Sequence, residues 1–61
     1  MAIYECLFFR LGFVADWENI EAESQAALRA MLEAAIIDEG WESVEAWRED
    51  VLVFRITGRL H

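Results

Sequence analysis

The segment DWENIEAESQAALRAMLEAAIIDEG (residues 16–40) is rich in alanine, leucine, glutamate and methionine, which all favour helices. No proline or glycine interrupts it before Gly40, a natural residue to end a helix. Asp16 is a suitable N-cap, and the glutamates that follow it favour the positive end of a helix dipole. The segment therefore predicts one helix from about Trp17 to Glu39. Its apolar arc comprises Ile20, Ala27, Leu28, Met31, Leu32, Ala34, Ala35 and Ile36.

The sequence on either side of this helix predicts three strands. Residues 3–11 (IYECLFFRL) and 51–57 (VLVFRIT) combine aromatic and β-branched types and are typical of strands. Alternation in the first strand separates Ile3, Glu5, Leu7, Phe9 and Leu11 from Tyr4, Cys6, Phe8 and Arg10. Residues 41–47 (WESVEAW) also alternate and predict a strand, with a short helix capped by Ser43 as the alternative. Residues 48–50 then form the turn into the last strand.

These elements predict a single α+β domain over residues 1–61, with the order β-α-β-β. The last two strands would form a hairpin, and the first strand would lie beside the last. The result is a three-stranded antiparallel sheet of order 1-3-2, with one long helix on one face. The predicted core comprises Leu28, Met31, Leu32, Leu52, Phe54 and Ile56. Because the first and last strands are apolar on both sides, one sheet face is expected to remain uncovered.

The composition argues against several classes of function. A net charge of −7 and a pI near 4.4 oppose direct binding of nucleic acid or of an anionic membrane, and they favour a basic protein partner. No apolar run reaches the length of a membrane span, and the first residues lack the basic start of a signal peptide, so we expect a cytoplasmic protein. Cys6 and His61 are the only residues of their kinds. We therefore predict no enzyme activity, no cofactor and no metal site, and a structural role for Cys6.

Two tryptophans in the third predicted element indicate where a partner would bind. Trp41 and Trp47 would share the sheet face that the helix does not cover, next to an apolar row from the first strand and to Val51 and Val53 from the last strand. Tryptophan is enriched in the residues that dominate binding energy. The alternative is that these aromatic residues simply fill the core of a small domain. The predicted partner-binding residues are Trp41, Glu45, Trp47, Glu49, Val51 and Val53.

The acidic residues of this region support a related hypothesis. Six of them fall within residues 38–50, namely Asp38, Glu39, Glu42, Glu45, Glu49 and Asp50. They form either a solvated surface or a surface that engages an arginine-rich or nucleic-acid-binding protein. The overall profile is similar to that of small acidic inhibitors encoded by phages and mobile elements, including anti-CRISPR proteins, and partly to that of antitoxins. This resemblance implies a stoichiometric inhibitor of a larger protein. A small assembly protein that forms a homodimer through the uncovered sheet face is the alternative, and a designed miniprotein is disfavoured by the free cysteine and the absence of lysine.

Overall fold

A computed structural model describes residues 1–58 of the chain, which form one helix and four strands. The elements are β1 (Ala2–Arg10), β2 (Phe13–Ala22), α1 (Gln25–Glu39), β3 (Ser43–Arg48) and β4 (Val51–Thr57). All neighbouring strands are antiparallel, and the sheet has the order β2-β1-β3-β4. The predicted α+β class, with one helix and an antiparallel sheet, is confirmed, whereas the prediction of three strands in the order 1-3-2 is wrong. The expectations about His61 lie outside the described residues.

The additional strand, β2, occupies residues that were predicted to begin the helix. A two-residue turn, Leu11–Gly12, joins β1 to β2, and both residues have positive φ angles, of 56° and 80°. Positive φ at both central positions is the geometry that suits the twist of a tight hairpin. The turn brings β2 against an edge of β1, where Tyr4 pairs with Ile20 and Leu7 with Trp17. These cross-strand pairs outweigh the modest local preference of the sequence for a helix.

The N-cap of the helix consequently lies eight residues after Asp16, the predicted N-cap. Ser24 is the N-cap, and its Oγ accepts a hydrogen bond of 3.1 Å from the backbone N–H of Ala27. The predicted end of the helix is confirmed, since Gly40 is left-handed at φ 74° and donates its N–H to the carbonyl of Ile36. Only glycine adopts this conformation without strain from a Cβ atom.

Residues 43–48 form a strand, so the alternative of a short helix capped by Ser43 is wrong. Glu49 and Asp50 make a second two-residue turn with positive φ angles of 51° and 67°. The ladder between β3 and β4 contains a bulge, because Ala46 pairs with Phe54 while Trp47 pairs with Leu52. Val53 is therefore the extra residue on β4. A bulge of this kind shifts the alternation of the residues on one side of it.

The core lies between α1 and one face of the sheet. The predicted alternation of β1 is confirmed, since Tyr4, Cys6 and Phe8 all point into this core. Its buried members are Tyr4, Cys6, Phe8, Ala22, Leu28, Leu32, Ile36, Trp41, Val44, Ala46 and Ile56. Two predicted core residues do not belong to it: Met31 is 49% exposed at the margin of the helix contact, and Leu52 is 44% exposed. The bulge at Val53 explains Leu52, because it turns this side chain to the opposite face from Phe54.

Replacement of Leu28 with alanine tests the position of the helix. Leu28 is fully buried, so Leu28→Ala should lower the free energy of unfolding by about 2–5 kcal/mol through lost burial and the cavity that remains. Met31→Ala, one turn further along the same helix, is the matched control and should cost about 1 kcal/mol or less. Urea denaturation of both variants would measure the difference. Equal stability of the two variants would contradict this helix orientation.

Cys6 provides a second test of the same core. Its thiol is fully buried, and burial together with the nearby negative charge of Glu18 raises the thiol pKa from 9.0 to about 11. A raised pKa means that the folded state holds the proton more tightly than the unfolded state. The resulting stabilisation is complete below pH 9 and is lost as the pH rises through about 11.

We therefore expect slow reaction of Cys6 with thiol reagents under native conditions, because the thiolate is the reactive form. Cys6→Ala should show a smaller loss of stability between pH 9 and 11 than the wild-type chain. The comparison between the two proteins isolates the thiol from other groups that titrate at alkaline pH. Rapid stoichiometric labelling of the folded protein would show that Cys6 is accessible.

Candidate functional site

The sheet face opposite α1 carries a set of apolar side chains that no element among residues 1–58 covers. We call this face the open face. Residues that pair across neighbouring strands share a face, so the register places the members of the open face directly. Its apolar members are Ile3, Leu7, Phe9, Val14, Trp17, Trp47 and Leu52. Trp17 is 58% exposed and Val14 is 51% exposed, while Leu7, Phe9 and Trp47 are half-buried.

Six of these residues form a diagonal band across the four strands, which we call the apolar band. It starts with the Trp47–Leu52 pair on β3 and β4, continues through Leu7–Trp17, and ends with Phe9–Val14 on β1 and β2. The step from β3 to β1 shifts the band by one residue pair along the strands, and the step from Leu7–Trp17 to Phe9–Val14 extends it further along β1 and β2. An apolar surface of this extent on a small protein usually marks an interaction site.

Polar residues occupy the two corners on either side of the apolar band. One corner, on β1 and β2, contains Glu5, Asn19 and Glu21, together with Ile3. The other corner, on β3 and β4, contains Ser43, Glu45, Arg55 and Thr57. The first corner is therefore purely acidic, while the second combines one carboxylate with the guanidinium of Arg55.

Glu45 links the second corner to the apolar band. Its Oε1 accepts a hydrogen bond of 3.0 Å from Nε1 of Trp47, and its Oε2 lies 3.8 Å from Nε of Arg55. The hydrogen bond satisfies the polar atom of the indole and holds the ring against the sheet. Trp47 therefore presents a fixed, half-buried apolar surface.

Trp41 lies on the other side of the sheet, so the prediction that Trp41 and Trp47 share a face is wrong. Trp41 is 9% exposed, its ring centroid is 5.4 Å from that of Phe8, and Cζ of Arg10 lies 4.2 Å above it. The reason is local. β3 begins at Ser43, so Trp41 precedes the strand and does not follow its alternation.

The remaining predicted binding residues fall in four different places. Glu45 lies on the open face beside Trp47, as described. Glu49 is exposed in the turn between β3 and β4. Val51 is exposed at the start of β4, opposite Arg48, and Val53 packs against the core. The structure thus brings only Glu45 and Trp47 together on the open face.

Sequence reasoning missed the contribution of β2 to this surface. Trp17 and Val14 lie in a segment that was predicted to be helix and its lead-in, so their pairing with β1 was not considered. The signal that could have located them is the Leu11–Gly12 turn between two segments with aromatic residues. The bulge that brings Leu52 to the open face has no signature in the sequence of β4.

Among residues 1–58, no three histidine, cysteine, aspartate or glutamate side chains group as a metal site. A groove of about 400 Å³ runs between the end of α1 and β4, and Glu33 is the only ionisable side chain among the residues that line it. Its walls are formed chiefly by Ile36, Ile37 and Ile56. Over the described range, no helix is both long and apolar enough to cross a membrane.

The acidic residues of 38–50 do not form one patch. Asp38 and Glu39 lie in the last turn of α1, whereas Glu49 and Asp50 lie beyond the opposite end of β3. Glu42 is engaged within the fold, because its Oε1 accepts a hydrogen bond of 3.0 Å from the N–H of Gly12. These carboxylates therefore give the whole molecule a negative field and do not converge on a single point.

No protein-family model matches this chain, and comparisons with curated proteins and with solved structures also gave no match.

Proposed function

We propose that this chain is a non-enzymatic protein-binding module that acts stoichiometrically through the open face of its sheet. The observation that carries the proposal is the apolar band, which leaves Trp17, Val14 and Leu52 about half exposed to water. Burial of such side chains against a partner contributes about 25 cal/mol for each Å² of apolar surface removed from water. Aromatic residues in the centre of such a surface commonly dominate the binding energy.

The position of Glu45 supports the same proposal. It places a hydrogen-bonded carboxylate and Arg55 at the margin of the apolar band. An apolar centre with a polar rim is the usual organisation of a protein interface. The rim supplies specificity and orientation, while the apolar band supplies most of the burial.

For the biological role of such a module, we propose inhibition of a larger basic protein, of which nucleic-acid-binding proteins are the main class. Its support is the net charge of −7, which accelerates encounter with a positively charged partner. The separation of the carboxylates around the molecule favours long-range attraction over a single concentrated contact. A homodimer through the open face is the second candidate, and the pattern of charges at the two polar corners favours it.

A double replacement on the open face tests the binding surface. Trp17→Thr combined with Leu52→Thr should abolish association, because loss of one central aromatic residue alone commonly weakens binding about thirtyfold. Threonine suits an exposed strand position, so the free energy of unfolding should change little when it is measured at a concentration where the chain is monomeric. Sedimentation of the chain alone would report self-association. Binding to other partners would be measured by immobilising the wild type and the variant and comparing the amounts of protein that each retains from a bacterial lysate.

Two further variants serve as controls. Met31→Gln combined with Ile37→Gln removes two exposed apolar side chains from α1 and should leave association unchanged. Trp41→Thr should instead lower the free energy of unfolding by about 3–5 kcal/mol, because Trp41 belongs to the core. If the Trp17/Leu52 variant unfolds, or if it associates as the wild type does, the open face is not the binding surface.

A further inference from the structure

We infer that the occupant of the open face is a second copy of this chain, related to the first by a twofold axis along the apolar band. The inference rests on the second candidate of the proposed function, a homodimer through the same surface, and specifies its geometry. The observation that carries it is the arrangement of residues on the open face. The apolar band runs diagonally, and the two polar corners that flank it differ in charge.

A twofold axis that lies in the plane between two facing sheets exchanges the two sides of that axis. When the axis follows the apolar band, the band of one copy faces the band of the other. Leu7 lies near the middle of the band and would meet Leu7 of the second copy. Trp17, at the outer end on β2, would lie over Phe9 of the second copy.

The same rotation places each polar corner over the opposite corner of the other copy. Arg55 would therefore lie over Glu5 of the second copy, with Glu21 within reach at the neighbouring strand. The contact occurs twice, once on each side of the axis. Among the described residues, Arg55 forms a salt bridge only with Glu45, through Nε, which leaves its two terminal nitrogens to bind carboxylates of the second copy.

The same charge pattern disfavours the alternative dimer, in which the twofold axis lies across the apolar band. A rotation axis across the band would lay the acidic corner with Glu5 and Glu21 over the same corner of the second copy. Like charges in facing positions are destabilising. The arrangement along the band joins apolar to apolar surface and places the neutral Glu45–Arg55 corner, instead of a second acidic corner, over Glu5 and Glu21.

The packing angle is also suitable. From Leu52 on β4 to Val14 on β2 the band crosses three strand spacings, about 14 Å, and moves two residue pairs along the strands, about 13 Å, so it crosses the strands at roughly 45°. The strands of the two copies would thus cross near a right angle, which is one of the two usual ways for sheets to pack face to face.

Reversal of the charge on Arg55 tests the arrangement by sedimentation equilibrium over a wide range of concentration. Arg55→Glu places two acidic corners against each other at both contacts, and the dimer dissociation constant should rise by about tenfold or more. Adding Glu5→Arg to the same chain restores opposite charges at both contacts and should recover most of the affinity. Arg48→Glu makes the same change of charge on the other side of the sheet and should have little effect.

The outcomes separate this inference from the proposed function. A dimer that Arg55→Glu weakens and Glu5→Arg rescues supports the twofold arrangement. A wild-type chain that stays monomeric at all concentrations overturns the inference, as does a dimer that is indifferent to Arg55→Glu. If the wild-type chain is monomeric, the lysate experiment still tests the open face. A protein that binds the wild type and not the Trp17/Leu52 variant would be the partner of that face. The proposed function fails when that variant unfolds or loses neither kind of association.

Discussion

β1 is a strand with apolar side chains on both faces and a hydrogen-bonded neighbour on each edge, and the rest of the fold follows from that combination. Tyr4, Cys6 and Phe8 point to one side, while Leu7 and Phe9 point to the other. Such a strand is stable only in the interior of a sheet, so β2 and β3 must flank it. A chain of this length provides one helix, and one helix covers one face. The other face of the sheet therefore stays uncovered, and it is the open face.

The junction between α1 and β3 holds the covered side together. Arg10 donates a hydrogen bond of 2.7 Å to the carbonyl of Glu39 at the end of the helix, and it stacks on Trp41 at the same time. The backbone of Glu42 accepts a hydrogen bond from the N–H of Gly58 and donates one to the carbonyl of Phe9. Space is tight here, because a Cβ atom at Gly58 would lie 2.7 Å from the carbonyl oxygen of Trp41. Trp41 thus contributes its large side chain to the core.

The features that give the open face its shape are small departures from regular strand geometry. The bulge at Val53 turns Leu52 outward beside Trp47 and leaves Val53 against the core. A second bulge, in the ladder between β1 and β2, leaves Ala15 unpaired and brings Trp17 opposite Leu7. Without this extra residue Trp17 would pair with Cys6 and lie on the covered side of the sheet. Bulges that redirect side chains in this way are common next to functional sites.

The sequence by itself determined the alternation of β1, the end of the helix at Gly40 and the strand character of residues 43–48 and 51–57. It also determined that the strands carry more apolar surface than one helix can cover. These properties depend on period-two alternation and on single residues with local effects. Tertiary structure decided the identity of β2, because residues 13–22 have a weak preference for a strand that only pairing with β1 makes effective. It also decided the sides on which Trp41, Trp17 and Leu52 lie, since a strand start and two bulges set them. Such features depend on contacts between residues distant in sequence, which local patterns do not encode.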